Sequence, residues 1–251
     1  TLRADIEQAF ERHGMSVQWL TLNRKALATS RETAVEKLIQ SARGVLAVAG
    51  GDGTVNAVAS ACRKLQRPLG ILPAGTFNYV ARNLGLPVDM AEAARVIAAG
   101  HVEPIPVGEI NGRLFLNNAG LGLYSHMIEE REMAKRRFGR HRIVAFLSGL
   151  KILTEPHPLY HIHIRADGRE ITLKTTTLIF GVNALQLANY NVEAAKFVEK
   201  GQLAVLSLRL DSRLDIARAA WAALHGKLEE AQTDDLINFE KSTGETPAAP
   251  P

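Results

Sequence analysis

The stretch VLAVAGGDGTVN, Val45 to Asn56, constrains this chain more than any other. An apolar run, Val45 to Ala49, passes into Gly50-Gly51-Asp52-Gly53-Thr54 and then directly into a helical pattern. A glycine-rich turn between a buried strand and a helix start leaves bare backbone N–H groups at the positive end of that helix. Anionic oxygens bind there, and phosphate is the commonest ligand. A tight strand-to-helix turn with no ligand would use the same glycines. Asp52 and Thr54 add chemistry, because a carboxylate can hold Mg²⁺ directly or through water and a hydroxyl can reach a phosphate. No Gly-Lys-Ser/Thr follows, so this is not a Walker P-loop.

Around that turn the first hundred residues alternate between helix and strand. Leu2, Ile6, Ala9 and Phe10 share one helical face, closed by Gly14. Val17 to Leu22 reads as a strand. Thr29 and Glu32 have capping-box spacing before a helix with Val35, Leu38, Ile39 and Ala42 inward and Gly44 as its stop. Val45 to Ala49 reads as a strand covered on both faces. Val55, Val58, Ala59 and Cys62 face inward on the helix after the turn, which ends before Pro68. Leu69 to Leu72 is a further strand. It leads into Pro73-Ala74-Gly75-Thr76-Phe77-Asn78, a second turn that opens a helix. Asp89 with Glu92 starts another helix, which stops at Gly100. This order predicts a parallel sheet with helices on both faces, whose ligands sit at the carboxyl ends of the strands. Both turns leave such ends, so one ligand could meet both.

Near Val102 the pattern changes. Ile105 to Ile110 and Arg113 to Asn118 are extended runs joined by Asn111-Gly112, a hairpin signal. Tyr160 to Arg165 alternates, with Ile162 and Ile164 on one side and His161 and His163 on the other, and Asp167-Gly168 turns it back into Glu170 to Thr175. Thr177 to Val182 and Gln202 to Leu210 complete an antiparallel half that reads as a β-sandwich. A last helix is expected over about Leu214 to Lys227, with a polar remainder and a disordered Pro/Ala end.

Composition narrows the classes. The 251 residues can form one large or two small domains. A net charge of +4 suits an anionic ligand or a membrane surface but is too weak to point to nucleic acid. The single cysteine, Cys62, cannot form an intramolecular disulfide and fits a core position and a reducing compartment. No apolar run is long enough to span a bilayer. The chain opens in an amphipathic helix, so no signal peptide is expected.

Two motifs together, GGDGTVN and PAGTFNYVARNLGLP, resemble the diacylglycerol kinase catalytic domain of soluble bacterial lipid kinases. That superfamily includes sphingosine and ceramide kinases, with NAD kinases and phosphofructokinases as distant relatives. NGRLFLNNAGLGLYS (Asn111 to Ser125) and GVNALQLANYN (Gly181 to Asn191) extend the resemblance over nearly the whole chain. It implies a three-layer α/β domain with a parallel sheet over residues 1–103, binding nucleotide. It also implies an antiparallel β-sandwich domain for the lipid over 104–240 and a tail over 241–251, with the active site in the cleft between the domains. The activity implied is transfer of the ATP γ-phosphate to a lipid hydroxyl with Mg²⁺. By the same resemblance Gly50, Gly51, Asp52, Gly53, Thr54, Val55, Asn56 and Ala57 form the nucleotide loop. Gly75, Thr76 and Asn78 add contacts from the second turn, and Asp52 is the Mg²⁺ ligand. A cytoplasmic enzyme working at a membrane surface is expected; the oligomeric state, a homodimer included, is left open.

Departures from the family pattern matter. The family opens with a strand carrying an Asn-Pro-x-x-Gly loop, whereas this sequence starts inside the next helix. Of the late Asp-Gly-Glu that supplies the general base, only Gly244-Glu245 is matched, in a segment too polar for a core strand, so a motif beyond Pro251 in a longer parent is favoured over Glu245 as the base. Lys200-Gly201-Gln202-Leu203 stands where members hold a structural Mg²⁺ with Asp-Gly-x-Leu, and a cation there would repel the metal. Tyr79 and Ala57 replace acidic residues. These changes keep two alternatives alive: a non-catalytic lipid- or nucleotide-binding regulator, and a kinase of a small soluble substrate like the NAD kinases. His161 and His163 have metal-ligand spacing, but no third ligand is near in sequence and a solvated strand face is favoured. Lys135, Arg136, Arg137, Arg140 and Arg142 precede the apolar segment Ile143 to Leu153 and suit either anionic headgroups or plain solvent. Glu199 reads as a surface carboxylate.

Overall fold

The computed structural model describes residues 2–20, 31–122, 159–166, 168–188, 191–208 and 235–239. Contacts divide the chain into two compact units, Thr1–Leu116 and Asn117–Pro251. The first unit runs α1 (Leu2–Glu11), α2 (Arg31–Ser41), β1 (Leu46–Gly50), α3 (Asp52–Lys64), β2 (Leu69–Pro73), α4 (Tyr79–Asn83) and α5 (Met90–Ala99). It closes with β3 (Gly108–Ile110) and β4 (Arg113–Phe115). β1 and β2 are parallel, in register from Leu46 opposite Leu69 to Gly50 opposite Pro73.

Strand alternation sorts the core into two layers of packing. Leu46, Val48 and Ile71 face Val35 and Ile39 of α2 and Val55, Val58 and Cys62 of α3. Ala49 and Leu72 face Ile6 and Phe10 of α1 and Ala93 and Ala94 of α5. The result is helix, sheet, helix, the expected three-layer arrangement. Each large aliphatic side chain buried this way contributes on the order of 1.5–3 kcal/mol.

Helix ends follow their sequence signals. Asp89 Oδ1 accepts the N–H groups of Ala91 and Glu92, both at 3.0 Å, which starts α5. Gly14, at φ +71°, closes α1; Met15 N–H donates to Phe10 O at 3.1 Å and Gly14 N–H to Glu11 O at 2.9 Å. Thr29 lies outside the described residues.

Three expectations for this unit are corrected. Residues 17–20 carry no strand; Val17 and Trp19 instead pack against the α1–α5 cluster, so burial rather than a ladder holds them. β1 is covered on both faces only at its end: Ala49 packs on the α1–α5 cluster, but on the same face Ala47 is exposed. The run Arg113 to Asn118 is not one strand. β4 pairs antiparallel with β3 through Asn111 and Gly112, both at positive φ (+51° and +73°), as a primed hairpin turn requires. After Leu116 the chain enters the second unit.

That unit comprises β5 (Asn118–Gly122), β6 (Tyr160–Ala166), β7 (Arg169–Thr175), β8 (Thr177–Gly181), α6 (Ala184–Leu187), α7 (Val192–Glu199), β9 (Leu203–Leu208) and β10 (Asp235–Phe239). Among the described residues all its pairings are antiparallel: a four-stranded sheet in the order β10-β9-β8-β5 and the β6–β7 hairpin. Ile162 and Leu173 of the hairpin pack on Leu178 and Val205 of the sheet, giving a sheet-on-sheet core. The other face of the sheet, with Ile179, Ala204 and Leu206, is covered by Leu187 of α6 and Ala194, Ala195 and Val198 of α7. The chain is therefore a mixed α/β protein, parallel in its first part and antiparallel in its second. α6, α7 and β10 were not foreseen. β10 corrects the expectation of a wholly polar remainder, since Leu236 and Ile237 pack on opposite faces of the sheet. The helix expected over about Leu214 to Lys227 lies outside the described residues.

Candidate functional site: two glycine turns at the ends of β1 and β2

Because β1 and β2 end in register at Gly50 and Pro73, both turns leave the carboxyl edge of the sheet together. Ala74 N–H donates to Gly50 O at 3.1 Å, tying the second turn to the first. Gly51 and Gly75 then lie backbone against backbone: a Cβ on Gly75 would stand 2.5 Å from the Gly51 Cα and 2.8 Å from Asn78 Oδ1. Neither glycine has positive φ, so close approach rather than dihedral freedom demands glycine there. On Gly50 a Cβ would stand 2.8 Å from the Thr54 Cβ, so the Thr54 side chain folds back over that glycine.

Gly51 is the N-cap of α3, at φ −87° and ψ 175°, and no side chain caps the helix. Its carbonyl takes the N–H groups of Thr54 at 2.9 Å and Val55 at 3.1 Å. The amides of Asp52 and Gly53, ahead of these, have no carbonyl of their own helix to bond. A bare helix N-terminus of this kind, 13 residues long behind it, carries partial positive charge and suits an anion.

The second turn is self-braced. Gly75 N–H donates to Asn78 Oδ1 at 2.8 Å, and Asn78 Nδ2 returns a bond to Gly75 O at 3.0 Å. Asn78 takes left-handed backbone, φ +52°, a conformation asparagine tolerates better than most residues. Thr76 stands exposed at its tip. Asp52 links the turns: its Oδ1 accepts the N–H of Val80, in the first turn of α4, at 2.8 Å. One oxygen of the candidate Mg²⁺ ligand thus already has a structural partner. Mg²⁺ on a nucleotide needs only one or two carboxylates besides phosphate and water, so the single carboxylate at this turn is compatible with the ion.

Other sequence candidates fall elsewhere. Val55 is buried in the core of the first unit. Asn56 reaches the return side of the hairpin: Nδ2 donates to Leu114 O at 3.0 Å and Oδ1 accepts Leu116 N–H at 2.9 Å. Ala57 is half-buried on α3. Glu245 and the cluster Lys135 to Arg142 lie outside the described residues. His161 and His163 are exposed; His163 Nδ1 pairs across the hairpin with Thr172 Oγ1 at 3.0 Å. Among the described residues no three His, Cys, Asp or Glu side chains are grouped to hold a metal. Glu199 is exposed, and Lys200 is the C-cap of α7, followed by Gly201 at φ +79°. In the GVNALQLANYN stretch, Asn183 is fully buried. Its Nδ2 donates to Asn117 Oδ1 at 2.8 Å and its Oδ1 caps α6 at Gln186 N, also at 2.8 Å. Asn191 Oδ1 caps α7 at Ala194 N, 3.0 Å away. Those asparagines are structural.

Sequence reasoning missed two features of the second turn, the Asp52–Val80 bond and a stack of Phe77 on Tyr79 with ring centroids 5.6 Å apart. Aromatic residues either side of a left-handed asparagine were the available signal for the stack.

Comparison with known proteins agrees with this geometry. Residues 1–110 match the diacylglycerol kinase catalytic domain. The diacylglycerol kinase of Bacillus subtilis (strain 168) is 29% identical over 233 residues, 89% of this chain and 73% of that protein. The diacylglycerol kinase of Staphylococcus saprophyticus is 46% identical over 80 residues, 31% of this chain and 26% of the relative. A crystal structure from Bacillus anthracis str. Sterne, assigned as a diacylglycerol kinase, superposes with TM-score 0.63 over 98% of this chain and 80% of that one. At 21% identity, that likeness is one of fold. By its first 110 residues, and by relatives that extend past them, the chain is similar to diacylglycerol kinases.

Proposed function

We propose that the chain is an ATP-dependent lipid kinase that phosphorylates a diacylglycerol-like or related lipid alcohol. The observation that carries this reading is the bare N-terminus of α3, with Gly51 against Gly75 of the second turn. Polyphosphate would lie on the amides of Asp52 and Gly53, with the Thr54 and Thr76 hydroxyls and the Gly75 backbone completing its cradle. Phosphoryl transfer is mostly positioning and charge neutralisation, so donor-rich turns are the parts it requires. The lipid oxygen forms a bond to the γ-phosphorus, the bond to the β-phosphate oxygen breaks, ADP leaves, and the hydroxyl proton passes to a base, for which Glu245 is the sequence candidate. Mg²⁺ would supply charge neutralisation between the phosphates, held beside Asp52. Among the described residues no helix is long and apolar enough to cross a membrane, which suits an enzyme meeting its lipid at the membrane surface.

The test is incubation of the full chain with γ-labelled ATP, Mg²⁺ and a panel of lipid alcohols in mixed micelles. Label in one lipid class is the expected result; no labelled lipid under any condition contradicts it. A second reading is nucleotide or lipid binding without turnover, favoured by Lys200 at the end of α7, where the resemblance to the diacylglycerol kinases implies an acid. Tight ATP binding with no labelled product would select it.

A further inference from the structure

Phe77 projects from the second turn with 58% of its surface exposed, the one aromatic ring among the exposed large apolar side chains of the described residues. Its ring lies nearly parallel to that of Tyr79, at 13° and 5.6 Å between centroids. Tyr79 is half-buried, so one face of Phe77 is supported and the rest meets solvent. The position is rigid. Asn78 between the two aromatics is fixed by its paired bonds to Gly75, and the next turn is held by Asp52 through Val80. Phe77 follows Gly75 by two residues, so its Cα is within about 7 Å of the glycine that abuts Gly51. Its sequence neighbours Ala74 and Thr76 are exposed and small, and Asn78 is polar, so none of these three offers the greasy surround an acyl chain needs.

From this we infer that Phe77 is the stacking platform for the nucleobase of the nucleotide whose phosphates lie on α3, with Tyr79 as the backing that holds the ring flat. The inference rests on the nucleotide-binding reading above and deepens it. A flat, half-supported aromatic ring beside a polyphosphate cradle matches a purine, which is flat on both faces and extends a parallel stack. Stacking reads the π-face rather than hydrogen-bond pattern, so Phe77 adds affinity for purines as a class, ATP and GTP alike.

Calorimetric titration of the full chain in Mg²⁺ tests this with two ligands, ATP and inorganic tripolyphosphate, on wild type, Phe77→Ala and Phe77→Trp. Phe77→Ala should weaken ATP by about tenfold and leave tripolyphosphate within about twofold, while Phe77→Trp retains or tightens ATP. Phe77→Ala removes a mostly exposed side chain and opens no core cavity, and the unchanged tripolyphosphate affinity checks the fold directly. If both ligands weaken together, or neither does, the platform is refuted. If wild type binds tripolyphosphate as tightly as ATP, the platform is refuted while the phosphate cradle stands. Failure of wild type to bind either ligand overturns the nucleotide reading and this inference with it.

Discussion

Asn56 and the two facing glycines carry most of what individual residues decide here. The Asn56 amide answers one carbonyl and one N–H of the return strand, at Leu114 and Leu116. Asn56→Ala leaves both partly buried groups unpaired and should cost about 2–3 kcal/mol, read as a lower urea midpoint with unchanged slope. The glycines separate fold from ligand. Gly75→Ala drives a methyl into the Gly51 backbone and should cost about 1–3 kcal/mol, with loss of nucleotide binding. Gly53→Ala meets nothing within 4 Å and sits in a helix, so stability should hold or rise by up to about 1 kcal/mol. Thermal melts of the two variants side by side read this contrast. The glycine turns were legible because backbone chemistry is local. The use of Asn56 was not, since its partners lie 58 and 60 residues away and only the folded hairpin brings them near. A motif residue that reads as ligand-binding also holds the chain at and after β4.

Among elements, α2 shows how a long-range side chain can finish a helix. Arg67, beyond the end of α3, donates to Ile39 O and Ala42 O at 2.8 Å and to Gly44 O at 2.7 Å. These carbonyls lie at or just past the C-terminal end of α2, where Ile39 O also takes Ala42 N–H at 3.2 Å, and a cation suits that end of the dipole. Arg67→Ala should destabilise the first unit by about 2–3 kcal/mol, with faster hydrogen exchange concentrated at the end of α2. Lysine should rescue only in part, because a single ammonium lacks the spread fork that reaches three carbonyls. Elements with local punctuation were readable: Asp89 and Gly100 bound α5, and Asn111-Gly112 makes its hairpin. Residues 17–20 alternate like a strand yet find no partner strand among the described residues, so pattern without a ladder misled. α7 carried a readable signal in Asn191, Ala194, Ala195, Val198 and Gly201. β10 had only five residues and owes its strand to pairing with β9, which no local feature announces.

At the scale of the whole chain, each unit has its own core, and Cys62 reports on the first. It is buried beside α2 and β1, and burial pushes its thiol above the ordinary 9.0, with the Arg67 charge opposing less strongly. A raised thiol pKa favours the protonated folded state. That contribution is fully present below the unfolded value and is lost as pH rises through the folded one, so the first unit should weaken above pH 9.0. Cys62 should resist a thiol reagent at pH 8 until denaturant opens that unit, and labelling should follow its unfolding curve. The fold class was legible because strand–helix alternation and hairpin spacing are properties of long stretches. The two glycine turns were legible from the sequence, but that Asn56 and Asn78 brace the backbone around them needed coordinates.

The central claim is that the first amides of α3 hold the polyphosphate. Amide resonances of the isotope-labelled full chain, titrated with ATP–Mg²⁺, with tripolyphosphate and with adenosine, test it most directly. The account predicts that the Asp52 and Gly53 amides shift with the first two ligands and stay still with adenosine. Saturable ATP binding that leaves those two amides unmoved would contradict it.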